Sequence, residues 1–76
     1  MLHEILAFDK QTEQLVFSIE IPSGQLSQLA ELMGWEEPKD AIYEYDLSPE
    51  QVSRFESMTG RTFSSSDYIF QLSCTA

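Results

Sequence analysis

Basic residues are scarce in this chain. Only four Lys and Arg stand against thirteen Asp and Glu, leaving a formal charge of −9 at pH 7. That balance disfavours direct contact with a nucleic-acid backbone or an anionic membrane, since both are held by Lys and Arg. Cysteine is scarcer still. Cys74 stands alone and has no internal partner, whereas a small secreted domain is normally stapled by several disulfides. The opening Met1-Leu2-His3-Glu4-Ile5 lacks a basic stretch and meets an acid at once, so no secretory signal is legible there. The longest uninterrupted apolar run is Ile5 to Phe8, far short of the roughly 20 residues that a membrane-spanning helix needs. These absences point to a cytoplasmic protein in a reducing compartment.

Groups suited to catalysis are equally few. The one histidine, His3, is expected as a solvated side chain on an edge strand. Cys74 shares a face with Tyr68, Phe70 and Leu72, and with no basic neighbour in sequence to activate its thiol it reads as a packing residue. One Cys and one His at opposite ends of a chain make no zinc pattern. Glu36-Glu37-Pro38-Lys39-Asp40 has carboxylates but neither the alternate spacing nor the central glycine of a calcium loop. Gly24, Gly34 and Gly60 are scattered, so no glycine-rich phosphate loop exists. Paired carboxylates acting as in a glycosidase would need a cleft that 76 residues scarcely frame. The expectation is a protein that is not an enzyme and carries no metal or cofactor.

What the chain does have is enough apolar material for one core. Its hydrophobic fraction is 42%, with one Trp, three Tyr and five Phe, too rich for a disordered acidic tail. Residues 1–76 therefore read as a single acidic domain. Leu2–Asp9 is a well-buried strand. Leu15, Phe17, Ile19 and Ile21 alternate with Ser18 and Glu20, which marks a half-buried strand and a hairpin with the first. Pro22 ends it, and Ser23 is placed to cap a helix running to about Met33, closed by Gly34, with Trp35 folding back over its end. Ala41–Leu47 has strand composition. Ser48-Pro49-Glu50-Gln51 is the sharpest local signal: Ser48 as N-cap, Pro49 in the first helical position and Gln51 completing a capping box for a helix ending at Gly60. A closing strand starts near Asp67. The order is β-β-α-β-α-β, an α+β fold in which two helices cover one face of a small, four-stranded, largely antiparallel sheet.

Charge of this size exceeds what solubility asks of a small domain, for which a magnitude of about 2–8 suffices. Like charge also destabilises the compact state, so a benefit is expected to offset that cost. The acids concentrate at Glu36, Glu37, Asp40, Glu44, Asp46 and Glu50, with Lys39 the one base among them and Trp35, Tyr43 and Tyr45 interleaved. Aromatics supply anchor area and carboxylates supply complementarity to a basic partner. Trp35, Glu36, Glu37, Asp40, Tyr43, Glu44, Asp46 and Glu50 are therefore the candidate partner-binding residues. Glu50 has a second reason to be acidic, since it lies in the first turn of a helix.

Two segments carry a resemblance. Phe8-Asp9-Lys10-Gln11-Thr12-Glu13 is similar to the opening hairpin of some cloacin-type immunity proteins. The run from Tyr43 to Gln51, followed by Tyr68-Ile69-Phe70-Gln71-Leu72-Ser73-Cys74, resembles a family of small uncharacterised bacterial proteins. In size, charge and lack of catalytic groups the chain looks like the acidic immunity proteins of colicin-type or contact-dependent growth inhibition systems. That resemblance implies a free monomer that forms a one-to-one complex with a basic toxin, a nuclease domain. The alternative is another acidic interaction module: a DNA-mimic inhibitor, an antitoxin or a regulatory adaptor.

Overall fold

A computed structural model describes residues 2–75. Strands β1 (Leu2–Asp9), β2 (Leu15–Ile21), β3 (Tyr45–Asp46) and β4 (Tyr68–Thr75) form one sheet in the order β2-β1-β4-β3, with every neighbouring pair antiparallel. Helices α1 (Leu26–Met33) and α2 (Pro49–Thr59) follow β2 and β3 respectively. The α+β fold read from the sequence is the fold observed.

Strand periodicity decides which side of the sheet is covered. Ile5 and Ala7 of β1, Ile19 and Ile21 of β2, and Phe70 and Leu72 of β4 point to one face. There they pack with Leu29 of α1 and with Val52 and Phe55 of α2. Ile5, Leu29, Phe55 and Leu72 are fully buried and form the centre of this core. Both helices lie on that face, and no helix among the described residues covers the opposite face of the sheet.

Each helix is bounded by local chemistry. At the start of α2 the Ser48 N–H donates to Gln51 Oε1 at 2.9 Å, and the Gln51 N–H donates to Ser48 Oγ at 3.2 Å. Pro49 opens the first turn, as expected. Gly60 ends α2 and Gly34 ends α1, both at φ 72°, a left-handed conformation that favours glycine. At Gly34 the chain doubles back so that the Trp35 backbone N–H reaches Ala30 O at 3.0 Å.

Four details differ from the sequence reading. Ser23 does not cap α1: a 3-10 turn (Ser23–Gln25) intervenes, and no side-chain hydrogen bond closes the helix start. The alternation of β2 breaks at a bulge. Register shifts between Ala7 and Phe8, so that Phe8 faces Leu15 and Leu15 joins the open face instead of the core. The strand expected over Ala41–Leu47 shrinks to Tyr45–Asp46, because Pro38–Ile42 winds into a 3-10 segment first. Finally, His3 is not solvated. It lies on β1, an interior strand, where its ring is buried and Nε2 bonds to Ala41 O at 2.9 Å.

Candidate functional site

The acidic segment from Trp35 to Glu50 runs along the β3 edge of the sheet, and its residues divide by role. Trp35 is half-buried against the core, with its ring 5.8 Å from His3 and 5.7 Å from Tyr45, centroid to centroid. Its indole N–H is buried and faces the Tyr45 oxygen, which lies outside hydrogen-bonding geometry. Tyr45 donates its hydroxyl to Asp40 O at 2.6 Å. Burial raises the Tyr45 phenol above its usual range; the nearby Asp40 carboxylate adds to this, and the Trp35 N–H opposes it. Trp35 and Tyr45 thus serve as packing, together with the buried His3.

Asp40 is architectural too. Its Oδ2 accepts the Glu36 and Glu37 backbone N–H groups at 3.2 and 3.3 Å, which fixes the turn leading into the 3-10 segment. Glu37 pairs with Lys39 at 3.1 Å and Glu50 with Arg54 at 3.5 Å, both on the surface, where such pairs contribute little. Asp46 Oδ1 accepts from Gln71 Nε2 at 3.1 Å. Glu36, Tyr43 and Glu44 project into solvent, as does Ile42 beside them, which sequence reasoning passed over. Of the candidate residues, Trp35 and Asp40 are half-buried, while Glu36, Glu37, Tyr43, Glu44, Asp46 and Glu50 are exposed.

The open sheet face shows a more orderly arrangement, set by strand register. One row across it reads Leu15, Phe8, Ile69. The next reads Ser18, Leu6, Gln71, Asp46. The third reads Glu20, Glu4, Ser73. Leu15, Val16 and Ile69 are 54%, 48% and 45% exposed, while Leu6 and Phe8 between them are half-covered. An apolar strip thus abuts an acidic one. Glu4 and Glu20 sit directly opposite each other across β1 and β2, a like-charge pairing that costs stability. Only Asp46 of this surface was among the residues chosen from sequence. The missed signal was the bulge, since without it Leu15 and Phe8 fall on opposite faces.

No cluster of three or more His, Cys, Asp and Glu side chains suited to a metal ion occurs among the described residues, and none of their helices is long and apolar enough to cross a membrane. No curated protein and no solved structure matches the chain. A family model does, over residues 3–73, nearly the full length. The stretch it matches runs from the buried His3 through the closing strand β4, and so takes in both helices and all four strands of the sheet. The chain belongs to the family described as Domain of unknown function (DUF7683).

Proposed function

We propose that this protein is a cytoplasmic binding module that captures a basic protein on the open face of its sheet. The partner in this reading is a toxin, a nuclease domain, which the chain neutralises in a one-to-one complex while contributing no catalytic group of its own. One observation carries the proposal. Exposed Leu15, Val16 and Ile69, with Phe8 and Leu6 between them, lie beside the carboxylates Glu4, Glu20 and Asp46 on a face that no helix covers.

Removing such a strip from water is favourable by roughly 25 cal/mol per Å², of which only the surplus over the costs of association appears as affinity. The bordering acids speed encounter with a positive surface and discourage anionic ones. A guanidinium seated between Glu4 and Glu20 would also relieve their mutual repulsion. Glu44 and Asp46 extend the negative field around the β3 edge.

The test is charge reversal at Glu20, Glu44 and Asp46 together, with Asp40 left intact because its carboxylate holds two backbone amides. Tagged wild-type and variant proteins are used for affinity capture at low and moderate salt, with thermal melts in parallel. The expected result is one basic protein, encoded beside this gene, retained by the wild type at moderate salt. The variant should lose it and melt no lower than the wild type, since reversing Glu20 also removes its repulsion with Glu4. Loss of many basic proteins together as salt rises would reduce the reading to generic electrostatics. A variant that retains the same partner at full strength would remove these acids from the interface.

A further inference from the structure

A cavity of about 640 Å³ opens beside the first turns of α2, on the far side of β4 from β1. It exists because β3 is only two residues long. After Leu47 donates its N–H to Phe70 O at 2.9 Å, the chain turns away into α2 and leaves the Tyr68–Ile69 edge of β4 uncovered by a strand. Leu47, Pro49, Tyr68 and Ile69 supply the accessible apolar lining above buried Val52 and Phe70, and Ser64, Ser65, Ser66 and Lys10 form the polar part. The size falls within the usual range for a small-molecule site, about 300–1,000 Å³, with a mostly apolar lining and a few convergent polar groups.

Its charge is the reverse of the molecule's. The chain has thirteen acids and four bases, yet among the described residues no Asp or Glu lines this cavity and Lys10 does. Neither ion pair among the described residues involves Lys10. The serine wall is also held in place. Glu56 Oε2 accepts the Phe63 and Ser64 backbone N–H groups at 2.7 and 3.0 Å. Phe63 packs on Phe70 with centroids 5.7 Å apart, and the Lys10 N–H ties the hairpin to Asp67 O at 3.1 Å.

We infer that this cavity binds a small carboxylic acid with an apolar body, the carboxylate meeting Lys10 and the serine hydroxyls and the body lying on Leu47, Pro49 and Ile69. A small monoanion fits better than an acidic protein. A small ligand's carboxylate meets Lys10 directly, with the neighbouring Asp9 and Asp67 outside the cavity lining, whereas a large acidic partner would also face the acids of the surrounding surface.

Three probes of one shape test this by amide chemical-shift titration at physiological ionic strength: octanoate, octanol and octylamine. Octanoate should shift the amides of Lys10, Val52 and residues 64–70, and bind roughly two- to fivefold tighter than octanol, as an exposed ion pair allows. Lys10→Gln should bring octanoate to the level of octanol and leave octanol unchanged, which also reports that the cavity is intact. The inference is overturned if octylamine binds as well as octanoate, if the shifts fall away from the cavity or do not occur, or if Lys10→Gln leaves octanoate binding unaltered.

Discussion

Truncating Trp35 to alanine should destabilise the protein by about 2–3 kcal/mol. A fully buried Phe or Trp loses about 3–5 kcal/mol on truncation to Ala. Trp35 is half-buried, which lowers that figure, yet its ring packs on the core and meets both His3 and Tyr45. For a domain of this size each kcal/mol moves the melting midpoint by about 4–8 °C, so a drop of about 10–20 °C is expected. At roughly 0.05–0.15 kcal/mol per residue the whole domain has about 4–11 kcal/mol, so the variant stays folded at 25 °C and its loss is measurable. Urea unfolding followed by far-ultraviolet circular dichroism is the right assay, since the substitution removes the chain's one tryptophan. A loss below about 1 kcal/mol would refute the packing role and return Trp35 to the position of an exposed anchor.

Trp35→Phe sharpens the same argument. It keeps an aromatic ring between His3 and Tyr45 and removes a buried indole N–H whose approach to the Tyr45 oxygen falls short of hydrogen-bonding geometry. Leaving such a donor buried costs about 1–3 kcal/mol, which offsets much of the lost ring area. The phenylalanine variant should therefore lie within about 1 kcal/mol of wild type. Equal losses for Phe and Ala would mean that the N–H does find a partner in solution.

Ser48→Ala should lower stability by about 1 kcal/mol, and Ser48→Asn should recover most of it, because asparagine also caps; equal urea midpoints for all three would mean that the cap contributes nothing. The backbone N–H groups of Ser64 and Phe63 hold the Glu56 carboxyl below its ordinary value near 4.5. A depressed carboxylate stabilises fully above its unfolded value, and that contribution is lost as pH falls through the folded value. Glu56→Gln should therefore be less stable than wild type at neutral pH and approach it below about pH 4.5, and parallel stability–pH curves would contradict this account.

The parts of the fold that were legible from the sequence are those fixed by local chemistry. Ser48, Pro49 and Gln51 define the start of α2 wherever the chain goes next, and the left-handed Gly34 and Gly60 close both helices. Strand identity was equally plain where alternation was long, as in β4. What failed depends on contacts distant in sequence. Bulging of β2 against β1 is settled by pairing and not by the composition of β2, so Leu15 looked like a core residue. His3 was misread because its burial comes from Ala41, thirty-eight residues away, and from the arrival of β4 beside β1. Ala41–Leu47 has strand composition, but Glu37, Pro38 and Asp40 impose a tight turn first, and only Tyr45 and Asp46 remain to pair.

The same distinction sorts the acids, and it changes what the net charge means. Asp9 accepts the Gln11 and Thr12 amides and closes the β1–β2 turn; Asp40 accepts the Glu36 and Glu37 amides; Glu56 accepts the Phe63 and Ser64 amides. Each holds a loop by two backbone donors, work that needs an acceptor and no partner protein. Glu37 and Glu50 each have a cation beside them. A charge of −9 is therefore weak evidence for binding by itself, since part of it follows from how a small chain with few glycines and prolines secures its turns. Glu4 and Glu20 are different. They face each other at a cost on a bare sheet surface, beside apolar side chains that a free domain would do better to cover. The proposed basic partner, if its contact surface has an apolar centre, would account for both halves of that placement.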